Sequence, residues 1–219
     1  MTSPEPLRNL LTEAFFEYEK WLSTSLWRGK ENDCVNLFVH GFLYPKITSE
    51  GPIFDPTQIG IEIGIPQGKG LGKKQSVRKD LVIWPRPEMT TWNLEWKAEH
   101  FPIAVIEWKA RKKKSGDPLI SPYDLNWITK YSLLRENFIG CCATVDFTEP
   151  TTRLETALIV TGRVEENFHR QTKANSFHWS KTVCASKTAP IPLIAITETY
   201  DVVKSTIFKN PLPRPKNDE

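Results

Sequence analysis

The chain is 219 residues long, 39% hydrophobic and 25% charged, with 29 Lys and Arg against 26 Asp and Glu, for a formal charge of +3. That balance is the balance of an ordinary globular protein and excludes disordered, collagen-like and coiled-coil classes. A core built from this length removes roughly 70% of the unfolded chain's surface from water, so folding needs no metal or disulfide; net charge this small does not by itself mark a nucleic-acid binder.

The first periodic segment covers residues 4–22, where Leu7, Leu10, Leu11, Ala14, Phe15, Tyr18 and Leu22 recur three and four apart and predict an amphipathic helix. A second helix is predicted over residues 31–43, with Val35, Phe38, Val39 and Phe42 as its stripe, Glu31 on the same stripe and Pro45 as its stop. The segment "IGIEIGIPQ" then alternates, placing Ile59, Ile61, Ile63 and Ile65 on one face and Glu62 on the other, the period of a strand. A Gly- and Lys-rich loop, "GKGLGKKQS", joins it to "VRKDLVIWP", a β-branched run closed by Pro85, and the two strands are expected to form a hairpin.

"FPIAVIEWKA" is apolar on both faces until Glu107, as in a strand at the middle of a sheet, and a basic run over residues 111–114 follows it. In "SPYDLNWITKYSLLREN", Ser121 and Asp124 have capping-box spacing, Pro122 takes the first helical position, and Leu125, Ile128, Tyr131 and Leu134 form the stripe of a third helix. "GCCATVDF", "LETALIVTGRV" and "IPLIAITETY" read as later strands, with no legible order of pairing. The Pro-rich segment 211–219 reads as a disordered tail behind a single domain over residues 1–210.

No apolar run approaches the ~18 residues of a spanning helix, and "MTSPEPLRNLL" lacks the positive charge and sustained apolar stretch of a secretory signal, so the expected location is intracellular, in the cytoplasm. Cys34, Cys141, Cys142 and Cys184 show no CxxC pair or zinc-finger spacing and read as buried, reduced thiols. The four histidines, His40, His100, His169 and His178, are scattered without ligand spacing.

Chemistry concentrates in two strands. Alternation puts Glu107 and Lys109 on one face with Trp108 pointing away, and if the strand holding Asp80 is a neighbour, two carboxylates meet beside an ammonium. Apposed carboxylates repel, and a hard cation such as Mg²⁺, which accepts one or two protein carboxylates and keeps several waters, resolves the conflict. These are the parts that phosphodiester hydrolysis requires. The bland reading of the same residues is an ion pair at a strand end, worth at most ~1 kcal/mol if exposed.

"VRKDLVIW" followed by "AVIEWKA" resembles the signature of the PD-(D/E)XK nuclease superfamily, with its restriction-endonuclease-like fold. The resemblance covers about half the chain, residues 31–147, and departs from the pattern where Lys79 stands in place of the proline before the aspartate. It implies an α/β fold: a three-layer α/β/α sandwich around a central mixed β-sheet in the order α-β-β-β-α-β, here with an added N-terminal helix and a β-rich C-terminal extension. It implies Asp80 and Glu107 as ligands of Mg²⁺ (or Mn²⁺), Lys109 as the catalytic lysine, and Glu31 as the glutamate many members carry on the preceding helix. For Glu31 a plain acid at a helix N-terminus is an equal alternative. The implied activity is a metal-dependent endonuclease acting on DNA, in defence against foreign DNA or in repair, as a homodimer if both strands of a duplex are cut.

"LEWKAEH" repeats the acid and lysine spacing at Glu95 and Lys97, but "TTWNL" before it supplies no sustained apolar strand, so Glu107 and Lys109 are the choice. The glycine-rich loop fails as a P-loop, because Lys74 follows Gly72 and Lys73 and position 67 is Gln67. Lys73, Lys74, Arg78, Arg111, Lys112 and Lys113 are candidates for contact with a phosphate backbone, a solvated turn being the alternative for the loop lysines. Gln67, Tyr123, Asp124 and Lys130 are second-rank site candidates, and Glu62 is left to a solvated strand face. The competing functional readings are a catalytically inactive nuclease-like module that binds nucleic acid or protein, and an unrelated interaction protein displaying tryptophans such as Trp92 and Trp96.

Overall fold

The computed structural model describes residues 4–68, 71, 74–89, 91–97, 99–113, 119–148 and 152–160, and the backbone of three later strands, 163–169, 176–182 and 195–201. Two helices, α1 (Glu5–Thr24) and α2 (Glu31–Phe38), precede a hairpin of β1 (Ile59–Pro66) and β2 (Ser76–Ile83). Strand β3 (Ala104–Arg111), helix α3 (Pro122–Ser132) and strand β4 (Ile139–Asp146) follow, then β5 (Arg153–Val160), β6 (Arg163–His169), β7 (Ser176–Thr182) and β8 (Ala195–Asp201).

The protein is thus mixed α/β. Its strands lie in sequence order; β1, β2 and β3 are antiparallel neighbours, and β4 runs parallel to β3 after the crossover through α3. Strand β5 is antiparallel to β4, making a five-stranded mixed sheet that β6 to β8 continue as an antiparallel series. The stretch "LETALIVTGRV" divides between β5 and β6 rather than forming one strand, and β7 falls where the sequence predicts no strand. Cys184, Lys73 and the segment 211–219 lie outside the described residues. Among the described residues, no helix is long and apolar enough to cross a membrane.

Helices cover both faces of the sheet. On one face Leu7, Leu11, Ala14, Phe15, Tyr18 and Leu22 of α1 and Val35 and Phe38 of α2 pack on Leu81, Ile83, Ala104, Ile106, Trp108, Cys141 and Val145. Fully burying each large apolar side chain contributes about 1.5–3 kcal/mol before entropy is counted, so this face dominates the core. Trp108 is its centre, with Phe38, Phe15 and Tyr18 at ring distances of 5.2, 5.8 and 5.8 Å. On the other face Trp127, Ile128 and Tyr131 of α3 pack on Val82, Val105, Cys142 and Ile159.

The second helix stops short of its predicted end. After Phe38 the chain loosens into a π-helical turn, Val39–Leu43, and tightens into a 3₁₀ turn, Tyr44–Lys46, which contains Pro45. Proline cannot donate the amide that would continue an α-helix.

The β1–β2 hairpin departs from simple alternation. Ile59 and Ile61 pack with the α1/α2 face, whereas Ile63 and Ile65 pack with the α3 face; on β2, Leu81 and Ile83 divide from Val77 in the same way. The expectation that all four isoleucines share one face is therefore corrected. The ribbon turns over at Glu62, whose φ of +54° lies in the left-handed region. The pairing runs Ile61↔Leu81 and then Ile63↔Lys79, skipping Glu62 and Asp80.

Helix α3 sits unusually close to the sheet at Gly140. A Cβ at that position would lie 1.9 Å from Cγ2 of Ile128. Gly140→Ala is accordingly expected to destabilise the protein by roughly 1–3 kcal/mol, as overpacking does. Adding Ile128→Ala removes the clashing methyl, so the double variant should lose less than the sum of the single losses in denaturant titrations. Simple additivity would show that the two positions do not bear on each other.

Candidate active site

The helix starts place two acids. Backbone Lys30 N–H donates to Asp33 Oδ2 at 2.8 Å, which fixes the first turn of α2 and puts Glu31 in it. At α3, Ser121 Oγ accepts Asp124 N–H at 3.3 Å and Pro122 occupies the first turn, as the sequence predicts, so Asp124 also lies in a first turn. Both acids gain from the exposed amides of a helix N-terminus.

The sheet supplies the rest. Strands β2 and β3 are paired only through Leu81↔Ile106, Val82↔Val105 and Ile83↔Ala104. Where that ladder stops, the Asp80 carboxylate enters the gap and accepts Trp108 N–H at 2.7 Å. Glu107 lies next to it on β3, within side-chain hydrogen-bonding reach. Asp80 and Glu107, twenty-seven positions apart in sequence, are thus adjacent in space.

Glu107 is buried, and burial pushes its carboxyl up to about 7; Lys79 opposes the shift and Asp80 adds to it. The ion pair it makes is with Lys79, not with Lys109. Lys109 Nζ donates to the Trp108 carbonyl at 2.7 Å and lies 3.4 Å from Glu31 Oε1 and 3.8 Å from Asp124 Oδ2, linking the helices on either side of the sheet. Burial works against its charge, but Glu31, Asp124, Asp80 and Glu107 together outweigh burial and hold its pKa above the ordinary lysine value. Glu31 is raised, by burial first, with Asp80 and Asp124 adding to the shift and Lys109 opposing it.

The sequence-predicted residues Asp80, Glu107, Lys109 and Glu31 therefore come together, and Asp124 joins them. Lys79, known from sequence only as a departure from a motif, is the sixth member. The signal that could have found it is its place in "VRKDLVIW": a lysine in a strand that is buried beyond it must have a partner if it is buried too. Gln67 instead donates to the Leu71 carbonyl at 2.8 Å, within the hairpin loop.

Of the basic candidates, Arg78 is exposed and pairs with Glu62 at 2.8 Å. Lys74, Lys112 and Lys113 are exposed, and Arg111 ends the strand that carries Glu107 and Lys109. Glu95 and Lys97 pair with each other on an exposed turn, organised by Asn93, outside the sheet.

The cluster suits a divalent cation by charge and donor type. Four carboxyl groups face two ammonium groups, and all the side-chain atoms that could ligate an ion are hard oxygens. Among the described residues, no group of three or more His, Cys, Asp and Glu side chains is arranged to hold a metal ion. Asp80 and Glu107 are two, which is the number Mg²⁺ commonly takes while keeping waters for its other positions.

Compared with known proteins, the chain matches no family model, no curated protein and no solved structure.

Proposed function

We propose that the protein is a metal-dependent nuclease of the restriction-endonuclease-like kind, hydrolysing phosphodiester bonds in DNA. The observation that carries this reading is the meeting of Asp80 and Glu107 where β2 and β3 part, with Lys109 held in the same cluster. The order α2, β1, β2, β3, α3, β4, with helices on both faces, supports the α-β-β-β-α-β sandwich that the resemblance implies.

In this reading Asp80 and Glu107 hold the ion. When bound, it would polarise the phosphate and acidify a coordinated water. Lys109 stays protonated, because its carboxylate neighbours favour the charge, so it stabilises the negative charge developing on the phosphate rather than taking a proton. Glu31 and Asp124 aim that ammonium from two sides. Arg111, at the end of β3, and Lys112 and Lys113 just after it would contact the phosphate backbone. Duplex cleavage would call for a homodimer, since each site cuts one strand.

A second reading, a scaffold that binds nucleic acid or protein without cutting, is favoured by one observation: the ammonium of Lys79 already occupies Glu107. Supercoiled plasmid and single-stranded DNA or RNA incubated with the protein separate the two. Cleavage that depends on Mg²⁺ or Mn²⁺ and stops on adding a chelator is the expected result. Retention of nucleic acid in a mobility shift with no cleavage under any divalent ion would favour the scaffold.

A further inference from the structure

The carboxylate cluster contains a cation of its own. Lys79 directly precedes Asp80, yet its side chain is only 7% exposed and ends on the Glu107 carboxylate, with Nζ 3.5 Å from the centroid of the Trp127 ring on α3. The turn-over of the hairpin at Glu62 is what brings this odd-numbered residue to the α3 side, away from the face that Leu81 serves. A buried ammonium needs compensation, and it finds it in one carboxylate and the negative face of one indole.

The two carboxylates are positioned by donors of different kinds. Asp80 is held by a neutral backbone N–H, which leaves its negative charge available to an ion. Glu107 is held by a full positive charge, which cancels its own and repels any cation brought to the same oxygens. We propose that Lys79 is a tethered competitor of the divalent ion: its ammonium occupies Glu107 in the ion-free protein and must leave it for an ion to be held between Asp80 and Glu107. The inference rests on the metal-dependent reading of the site given above. Lys79 thereby sets the ion concentration at which the site fills and balances the buried carboxylates until it does. It is a positioning residue and takes no part in bond breaking.

The test is Mn²⁺ binding to the full chain at pH 8, followed through the electron paramagnetic resonance of the free ion, in the wild type, Lys79→Met and Asp80→Asn. Lys79→Met should bind Mn²⁺ at least tenfold more tightly than the wild type, and Asp80→Asn should remove the binding. If wild-type binding needs Asp80 but Lys79→Met binds no more tightly, the competitor role is overturned and the metal-dependent reading stands. If neither the wild type nor Lys79→Met binds Mn²⁺, both are overturned. Should Lys79→Met not fold, Lys79→Gln carries the same expectation, since its amide can bond Glu107 without charge. In the wild type, the shielded Lys79 amine should also become more reactive toward an acylating reagent as Mn²⁺ is added, read by peptide mass spectrometry; labelling that does not change overturns the displacement.

Discussion

Lys109→Ala should lower single-turnover cleavage by at least ~10³-fold at saturating Mg²⁺, equivalent to about 4 kcal/mol of barrier. In the proposed reading the residue is a transition-state partner as well as a link between the two helices. Its side chain is 43% exposed, which leaves the ammonium open to a substrate, and its surroundings keep it charged. Glu31→Gln and Asp124→Asn should each cost less, because either leaves the ammonium one of its two flanking carboxylates. Removing both should approach the effect of removing the lysine. Thermal melting of each variant checks that the fold is intact. A fall in rate smaller than tenfold for Lys109→Ala would assign the lysine to an ordinary strand-end ion pair.

Without divalent ions, the melting temperature should fall as pH is raised from about 4.5 to about 7, and this component should vanish in Glu107→Gln. The sign follows from proton linkage. The folded-state pKa of Glu107 is raised above its ordinary value of 4.5 to about 7, first by burial, so the folded chain binds more protons than the unfolded chain across that window. The stability associated with the protonated carboxyl is complete below the ordinary value and is lost as pH rises through the folded value. Mg²⁺ or Mn²⁺ should restore it at pH 8 and have no effect at pH 4.5, where the proton already occupies the site. Scanning calorimetry of wild type and Glu107→Gln at four or five pH values, with and without ion, reads all of this. A melting temperature equally pH-dependent in both proteins would place the titration elsewhere.

Much of the architecture was legible from periodicity, and its failures have identifiable causes. The spacing of apolar residues in α1 and the Ser121–Pro122–Asp124 start of α3 specify helices through interactions within a few residues, and both are present. The faces of β1 were misread because alternation assumes extended backbone throughout, and Glu62 breaks that assumption with a positive φ that no residue type in "IGIEIGIPQ" announces. The meeting of Asp80 and Glu107 was inferable from strand adjacency. The partner of Glu107, Lys79, was not, since it depends on where the ribbon turns over and on Trp127, which lies forty-eight positions after that lysine. Likewise, the pairing of Lys109 with both Glu31 and Asp124 depends on two helix starts converging from opposite sides of the sheet.

The turn-over at Glu62 has a mechanical consequence. One half of the β1–β2 ribbon packs against α1 and α2 and the other half against α3, so the ribbon is anchored in two separate cores and Asp80 lies where they change over. The Trp108 amide bonded to that aspartate is expected to exchange faster with heavy water in variants that loosen either core, which hydrogen exchange of Leu81→Ala and Ile65→Ala reads.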